Sequence, residues 1–177
     1  MKMMVKKVAF LLADGYEDSE MKNPYEALTQ NGTDVVIISL EKGAQLNGKK
    51  GTISYTAHLA AEEANAGDYQ AVVIPGGKSP AKLLENEHIL AFVQKADQAG
   101  TTIAAICHGP QVLAKAGLLQ GRTLTAYPGI ADEVRAAGGT FVDQEVVVDG
   151  NLITSRTPED EPAFIQEIIN RIGVVAY

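Results

Sequence analysis

The sequence predicts an α/β protein, a parallel sheet covered by helices on both faces, and three observations predict it. Nearly continuous apolar runs at Val5–Leu12, Val35–Leu40, Ala71–Ile74 and Thr101–Ile106 have strand length and suit strands buried on both sides. Segments of helical periodicity alternate with them, and that alternation is the signature of parallel strands joined by crossover helices. The 177 residues are 46% apolar and 21% charged, a composition that folds throughout and buries the core of one domain spanning residues 1–177.

Taken in order, the Val5–Leu12 strand leads into a helix over Glu17–Gln30, with Met21, Tyr25 and Leu28 on one face and Asn31-Gly32 closing it. Pro24 interrupts this helix unless it acts as a kink. After the Val35–Leu40 strand, Gln45–Ala57 reads as a small hairpin around Asn47-Gly48. The Ala71–Ile74 strand ends at Pro75-Gly76-Gly77, and a helix is expected over Ile89–Ala99. The Thr101–Ile106 strand passes into a short helix, Pro110–Ala116, stopped at Gly117. Thr123–Ala126 and a helix over Ile130–Ala137 continue the alternation, and Val146–Thr154 is a hairpin with a two-residue turn. The last helix is expected to start with Thr157 as N-cap and Pro158 at its first position, with Glu159, Asp160 and Glu161 as exposed acids against its positive end.

Composition also narrows function. A net charge of −7 and no basic cluster longer than Lys49-Lys50 argue against a nucleic-acid or anionic-lipid surface, so small molecules and other proteins are the expected partners. No apolar run approaches the ~18 residues of a membrane span. The single cysteine, Cys107, allows neither an intramolecular disulfide nor a multi-cysteine zinc site, which suits a reducing cytoplasm. Metal and cofactor are not expected. Gly43-Ala44-Gln45-Leu46-Asn47-Gly48-Lys49-Lys50 imitates a phosphate-binding loop, but Lys50 stands where Ser or Thr would hold magnesium and the following segment is strand-like.

Chemistry concentrates in Ala105-Ile106-Cys107-His108-Gly109-Pro110. A strand, a sharp turn carrying a nucleophile and a helix make up the geometry of a nucleophile elbow. Small Ala105 and Gly109 leave room for the tight backbone, and the helix beginning near Pro110 points its positive end at the sulfur, which predicts a low-pKa thiolate. Gly76 and Gly77 lie at the end of the preceding strand, where open sheets place their crevice. The Gly77 and His108 amides would form a two-donor oxyanion hole. Asp14-Gly15-Tyr16-Glu17-Asp18 reaches the same crevice from the first strand. Glu17 is the expected partner of the sulfur, as a protonated acid donating a hydrogen bond to it. Asp18 and Glu20 read as helix-start acids that complement the dipole. Adjacent side chains diverge at a turn, so the backbone amide of His108 is a firmer expectation than its imidazole. His58 and His88 read as solvated.

These residues resemble the ThiJ/PfpI family of the class I glutamine amidotransferase-like superfamily. The resemblance runs through Gly15-Tyr16-Glu17-Asp18-Ser19-Glu20, Ile74-Pro75-Gly76-Gly77, Ala105-Ile106-Cys107-His108-Gly109-Pro110 and Ser155-Arg156-Thr157-Pro158. It implies a flavodoxin-like three-layer α/β/α sandwich, usually dimeric or higher, with Cys107 as nucleophile, Glu17 as its carboxyl partner, His108 beside it and Gly77 at the oxyanion hole. Tyr127, in Thr125-Ala126-Tyr127-Pro128, matches a tyrosine near the cleft of the PfpI branch. One departure stands out. The family's intracellular peptidases look like they take an acidic residue just after the proline of the Gly-Gly-x-x-Pro loop of a neighbouring subunit, and here that position is Ala81, which cannot orient an imidazole.

The resemblance and the elbow together lead to a cofactor-independent, cysteine-dependent stress-protection enzyme acting on reactive carbonyls or glycated thiols and amines, of glyoxalase or deglycase type. A PfpI-type cysteine peptidase is the alternative, followed by a redox sensor or chaperone built on an oxidisable thiolate. A true amidotransferase is disfavoured because the chain holds no histidine after His108.

Overall fold

The computed structural model describes residues 6–173. Eleven strands and six α-helices follow one another as β1 (Lys7–Leu11), α1 (Asp18–Gln30), β2 (Asp34–Ser39), β3 (Gln45–Asn47), β4 (Ser54–Thr56), β5 (Leu59–Ala60), β6 (Ala71–Ile74), α2 (Ser79–Leu83), α3 (Glu87–Gln98), β7 (Thr102–Ile106), α4 (Pro110–Lys115), β8 (Thr123–Leu124), α5 (Ala131–Ala136), β9 (Thr140–Phe141), β10 (Val146–Asp149), β11 (Leu152–Ser155) and α6 (Glu161–Ile172). Val5, expected to open the first strand, lies outside the described residues.

Seven strands form one sheet in the order β10-β11-β7-β6-β1-β2-β5. Every pairing in it is parallel except the β10–β11 hairpin. Side chains alternate across the central strands, as a period of two requires. Ala9, Leu11, Val72, Ile74, Ile103 and Ala105 pack with Leu83 of α2, Phe92 of α3, Val112 of α4 and Val134 of α5. Val8, Phe10, Val73, Ala104 and Ile106 pack with Met21 and Leu28 of α1 and Phe164 and Ile168 of α6. The result is the predicted three-layer α/β/α sandwich.

Three details differ from the sequence reading, each through a tertiary contact. β8 does not continue the main sheet; it pairs only with β9, in a separate two-stranded ribbon. The last helix begins one turn later than expected, because Pro158–Asp160 forms a 3₁₀ turn and Pro162 takes the first turn of α6. Its acids are not solvated. Asp160 is buried and accepts from the backbone and guanidinium of Arg156, while Glu161 accepts from Ser19 Oγ and Asn23 Nδ2 of α1 at 2.6 Å each. Pro24 is accommodated inside α1, on its buried face.

Strand order places the site. The chain runs from β1 outward to β2 and β5, then crosses to the other side of β1 to lay down β6 and β7. The loops leaving the C-terminal ends of β1, β6 and β7 therefore meet at the point where the winding reverses, the usual location of a ligand crevice in an open α/β sheet.

Candidate active site

β7 ends at Ile106, and the next residue, Cys107, sits at φ +62°, the one non-glycine residue with positive φ among the described residues. A side chain in the left-handed region costs on the order of 1 kcal/mol. The turn holds it there through Cys107 N–H donating to Ser155 O of the neighbouring strand at 3.0 Å and Cys107 O accepting from Tyr127 N–H at 2.9 Å. The backbone thus reverses at the nucleophile, and α4 begins three residues on. This is the elbow expected from the sequence.

Gly76 and Gly77 close one wall. A Cβ on Gly76 would stand 2.6 Å from Glu20 Oε1, 2.8 Å from Cys107 Cβ and 2.9 Å from Ile106 O, so only glycine fits. Gly77 has φ +81° and pairs with Tyr16 in an isolated antiparallel bridge, which ties the β6 loop to the β1 loop. The backbone amides of Gly77 and His108 both favour the ionised form of the Cys107 sulfur. These are the two amides expected to receive an oxyanion.

The carboxyl group whose charge bears on the Cys107 thiol is that of Glu20. Glu20 is wholly buried; its Oε1 accepts the Gly76 N–H at 2.9 Å and its Oε2 has no partner. Burial pushes its pKa up to about 8, with the negative charge of Glu17 adding to the effect. At neutral pH Glu20 therefore holds its proton, and because Oε1 is engaged by Gly76, the proton belongs on Oε2. Glu17, the residue expected in this role, faces the other way. It precedes α1 and is ion-paired at Oε1 to Lys49 Nζ (3.0 Å) and at Oε2 to Lys50 Nζ (3.1 Å), the second contact lacking hydrogen-bond alignment. A carboxylate held between two ammonium groups is an acceptor and cannot supply the donor the sulfur needs. Sequence position is misleading because Glu17 is nearer the strand end. The available signal is the stripe Glu20, Pro24, Leu28, spaced by four, which puts Glu20 on the buried face of α1.

The electrostatics of Cys107 also differ from expectation. Burial pushes the thiol up to about 12, and the charge of Glu20, when ionised, pushes in the same direction; the His108 and Gly77 amides and Lys49 act against them. Desolvation thus outweighs the helix end, since α4 has only six residues and a macrodipole so short is weak. The resting group is a thiol, and reaction requires a base. His108 supplies one. Its Nδ1 lies 3.2 Å from the sulfur, so the two adjacent side chains converge rather than diverge. Burial, and then Lys49, lower the basicity of His108 and keep the ring neutral. Tyr127 stacks on this ring at 4.8 Å between centroids and 23° between planes, fixing its orientation while remaining 40% exposed itself.

Sequence reasoning does not bring Lys49 into the site. In the sequence it belongs to a failed phosphate loop and a hairpin turn, and only the fold shows that its backbone N–H donates to Tyr16 O and that its ammonium group faces the site. Its charge acts on Cys107, Glu20 and His108 alike. His58 and His88 lie away from this cluster. His58 Nδ1 accepts the Ile37 N–H at the sheet edge, and His88 is exposed on α3. Among the described residues no group of three or more His, Cys, Asp or Glu side chains is arranged to hold a metal ion.

A buried cysteine at a strained elbow, flanked by two convergent amides, a neutral imidazole and a protonated carboxyl, defines a class of cysteine-nucleophile α/β proteins. Within that class the chain belongs to the DJ-1/PfpI family, whose profile matches residues 6–171. It is similar to "Protein/nucleic acid deglycase 2" of Escherichia coli, 40% identical over 171 residues that cover 96% of this chain and 99% of that one. "Deglycase PfpI" of Pyrococcus furiosus is 42% identical over 163 residues, 92% of this chain and 97% of that one. A Bacillus subtilis relative whose name proposes a cysteine protease is 40% identical over 167 residues, 94% of this chain and 98% of that one. Among solved structures, a two-domain Anabaena variabilis protein with DJ-1/ThiJ/PfpI-like and ferritin-like domains superposes at a TM-score of 0.95 and 41% identity. The match covers 97% of this chain and 49% of that protein, so this chain spans about half its length.

Proposed function

We propose that this protein is a cysteine-dependent, cofactor-independent enzyme that removes reactive carbonyls and their adducts, a deglycase- or glyoxalase-type activity protective under carbonyl stress. The observation that supports it most directly is the approach of His108 Nδ1 to Cys107 Sγ at 3.2 Å, with the Gly77 and His108 amides favouring the ionised sulfur. The names of the two deglycase relatives support the same reading.

In this reading His108 Nδ1 takes the thiol proton as Sγ adds to an aldehyde carbon. The carbonyl π pair moves onto oxygen, and the Gly77 and His108 amides hold that alkoxide, which then takes the proton from His108. For a 2-oxoaldehyde the carbon-bound proton of the hemithioacetal shifts to the neighbouring carbonyl carbon through an enediol, leaving a thioester. Water hydrolyses the thioester to a 2-hydroxy acid and the free thiol, so no external oxidant or reductant is consumed. Glu20, buried and protonated, puts no negative charge beside the sulfur as the thiolate forms, which lowers the cost of forming it.

The peptidase alternative has less support. Ala81 is exposed on α2 and offers no acid, and among the described residues no carboxylate hydrogen-bonds the His108 ring. The net charge argues against a nucleic-acid-binding surface; a carbonyl adduct carried on a nucleic acid is a different matter, since only the adduct need enter the cleft. We extend the proposal to a homodimer or higher oligomer in the cytoplasm; no helix among the described residues is long and apolar enough to cross a membrane. The test is lactate formation from methylglyoxal. Wild type is expected to produce it and Cys107→Ala is not, whereas equal turnover by the two would overturn the reading.

A further inference from the structure

The molecule carries a net charge of −7, yet two ammonium groups stand together beside the Cys107 cleft. Lys49 and Lys50 stand on the turn after β3, and both ammonium groups converge on the single carboxylate of Glu17. Against Glu17 alone the pair keeps one positive charge in excess, while the carboxylates of Asp14 and Asp18 face the backbone N–H groups of Asn47, Lys50 and Thr52 on the same turn. The groups deeper in the site do not cancel it, because Glu20 and the thiol hold their protons at neutral pH and His108 is neutral. Lys49 is also fixed in place. Its N–H donates to Tyr16 O, Tyr16 is bridged to Gly77, and the turn is tied down by Asp18, which accepts from Lys50 N–H, Thr52 N–H and Thr52 Oγ1. The Asp18 carboxylate lies behind the turn, where a Cβ on Gly48 would collide with it. The Lys49 side chain is 37% exposed and its ion-pair partner among the described residues is Glu17 alone. An ammonium group has three donors, so the remaining ones are open to a ligand entering beside the oxyanion amides.

We infer that Lys49, backed by Lys50, is an anion-selecting subsite, so that carbonyl adducts bearing a carboxylate near the reacting carbon are preferred over otherwise identical neutral ones. Glu17 holds the two ammonium groups at the rim in the empty site, and the substrate carboxylate adds to the pair from the solvent side. The substrate half of this inference rests on the carbonyl chemistry proposed above, whereas the subsite itself does not. Lys49 acts here as a specificity-determining residue.

The experiment separates the two. Cys107 is alkylated with iodoacetate and with iodoacetamide, reagents that differ by one carboxylate, and the ratio of rates is divided by the same ratio for N-acetylcysteine, which cancels thiol ionisation and intrinsic reactivity. Wild type at low ionic strength is expected to favour iodoacetate by about fivefold or more, as one partly solvated charge at close range allows, and the preference should shrink toward one in 0.5 M salt. Lys49→Gln should abolish it, Lys49→Arg should retain it, and Lys95→Gln, an equal change of net charge on the exposed face of α3, should leave it intact. A wild-type ratio of one, a ratio unchanged in Lys49→Gln, or an equal fall in Lys95→Gln each overturns the subsite. Turnover of the methylglyoxal hemithioacetals of N-acetylcysteine and N-acetylcysteine amide then reads the substrate half. The acid is expected to have the higher kcat/KM in wild type only. Turnover of neither with the alkylation preference intact refutes the carbonyl reading and the substrate half with it, while the subsite stands on the alkylation result.

Discussion

Replacing Glu20 by glutamine tests the protonation state on which the site depends. In the unfolded chain this carboxyl ionises near its ordinary value of 4.5, while burial in the folded protein raises it to about 8. Below 4.5 both states hold the proton, and the group contributes its full stabilisation. Between 4.5 and about 8 the folded state holds a proton that the unfolded state has released, so stability falls as pH rises, at up to about 1.4 kcal/mol per unit. Above about 8 both states are ionised and the slope vanishes. Relaxation around the new charge reduces the total, and a loss of about 2 to 4 kcal/mol across the window is expected. The Glu20→Gln side chain would keep the acceptor for Gly76 N–H and a donor in place of Oε2–H, and would not titrate. The assay is urea unfolding of both proteins at half-unit steps from pH 4.5 to 9, with the difference between them as the readout so that other titrating groups cancel. The two should be of similar stability near pH 5, and the variant the more stable by about 2 kcal/mol or more at pH 8.5. Parallel curves across the range would refute the argument that Glu20 is a buried, protonated acid.

Gly76→Ala forces a methyl group into a gap bounded by Glu20 Oε1, Cys107 Cβ and Ile106 O, all within 2.9 Å, and displaces the carboxyl that accepts the Gly76 N–H. Overpacking and the lost bond together should cost about 2 to 4 kcal/mol, read as a lower urea midpoint at unchanged m-value, with carbonyl turnover reduced at least tenfold. Asp18→Ala strips the acceptor from Lys50 N–H, Thr52 N–H and Thr52 Oγ1. It should cost about 2 kcal/mol in urea unfolding, and increase hydrogen exchange at the Lys50 and Thr52 amides.

The layered fold was legible because its signals are local. Continuous apolar runs identified β1, β2, β6 and β7, and helical spacing identified α1, α3 and α4 to within a residue or two at each end. Two of the elements that escaped depend on distant partners. β5 and β9 are two residues long and exist only through pairing with β2 and β8. Thr123–Ala126 continues the alternation in sequence, but nothing in Thr123-Leu124 says that its neighbour will be β9 and not a strand of the main sheet. Asp160 and Glu161 look like solvated acids in sequence; Arg156, Ser19 and Asn23 make them buried ones, and two of those three partners lie about 140 residues away.

The two glutamates of the first loop show why the site was harder to read than the fold. Glu17 and Glu20 share one chemistry, lie three residues apart and enter the same helix turn, yet one is a buried carboxylate paired with two lysines and the other a neutral acid bonded to the Gly76 amide. In sequence only the stripe Glu20, Pro24, Leu28 distinguishes them, and it does not complete the separation. What does is a lysine pair on a hairpin about 30 residues on and a glycine amide more than 50 residues on, which meet the loop only after β1 and β6 have paired. The lysines draw the charge of Glu17 outward, and the Gly76 amide fixes Glu20 where no cation reaches it directly. Exchange of the two roles would put an ionised carboxylate against the sulfur and raise the barrier to thiolate formation by repulsion. The arrangement instead ties the carboxylate of Glu17 to an ammonium pair and leaves a neutral acid, Glu20, as the carboxyl group that acts on the thiol.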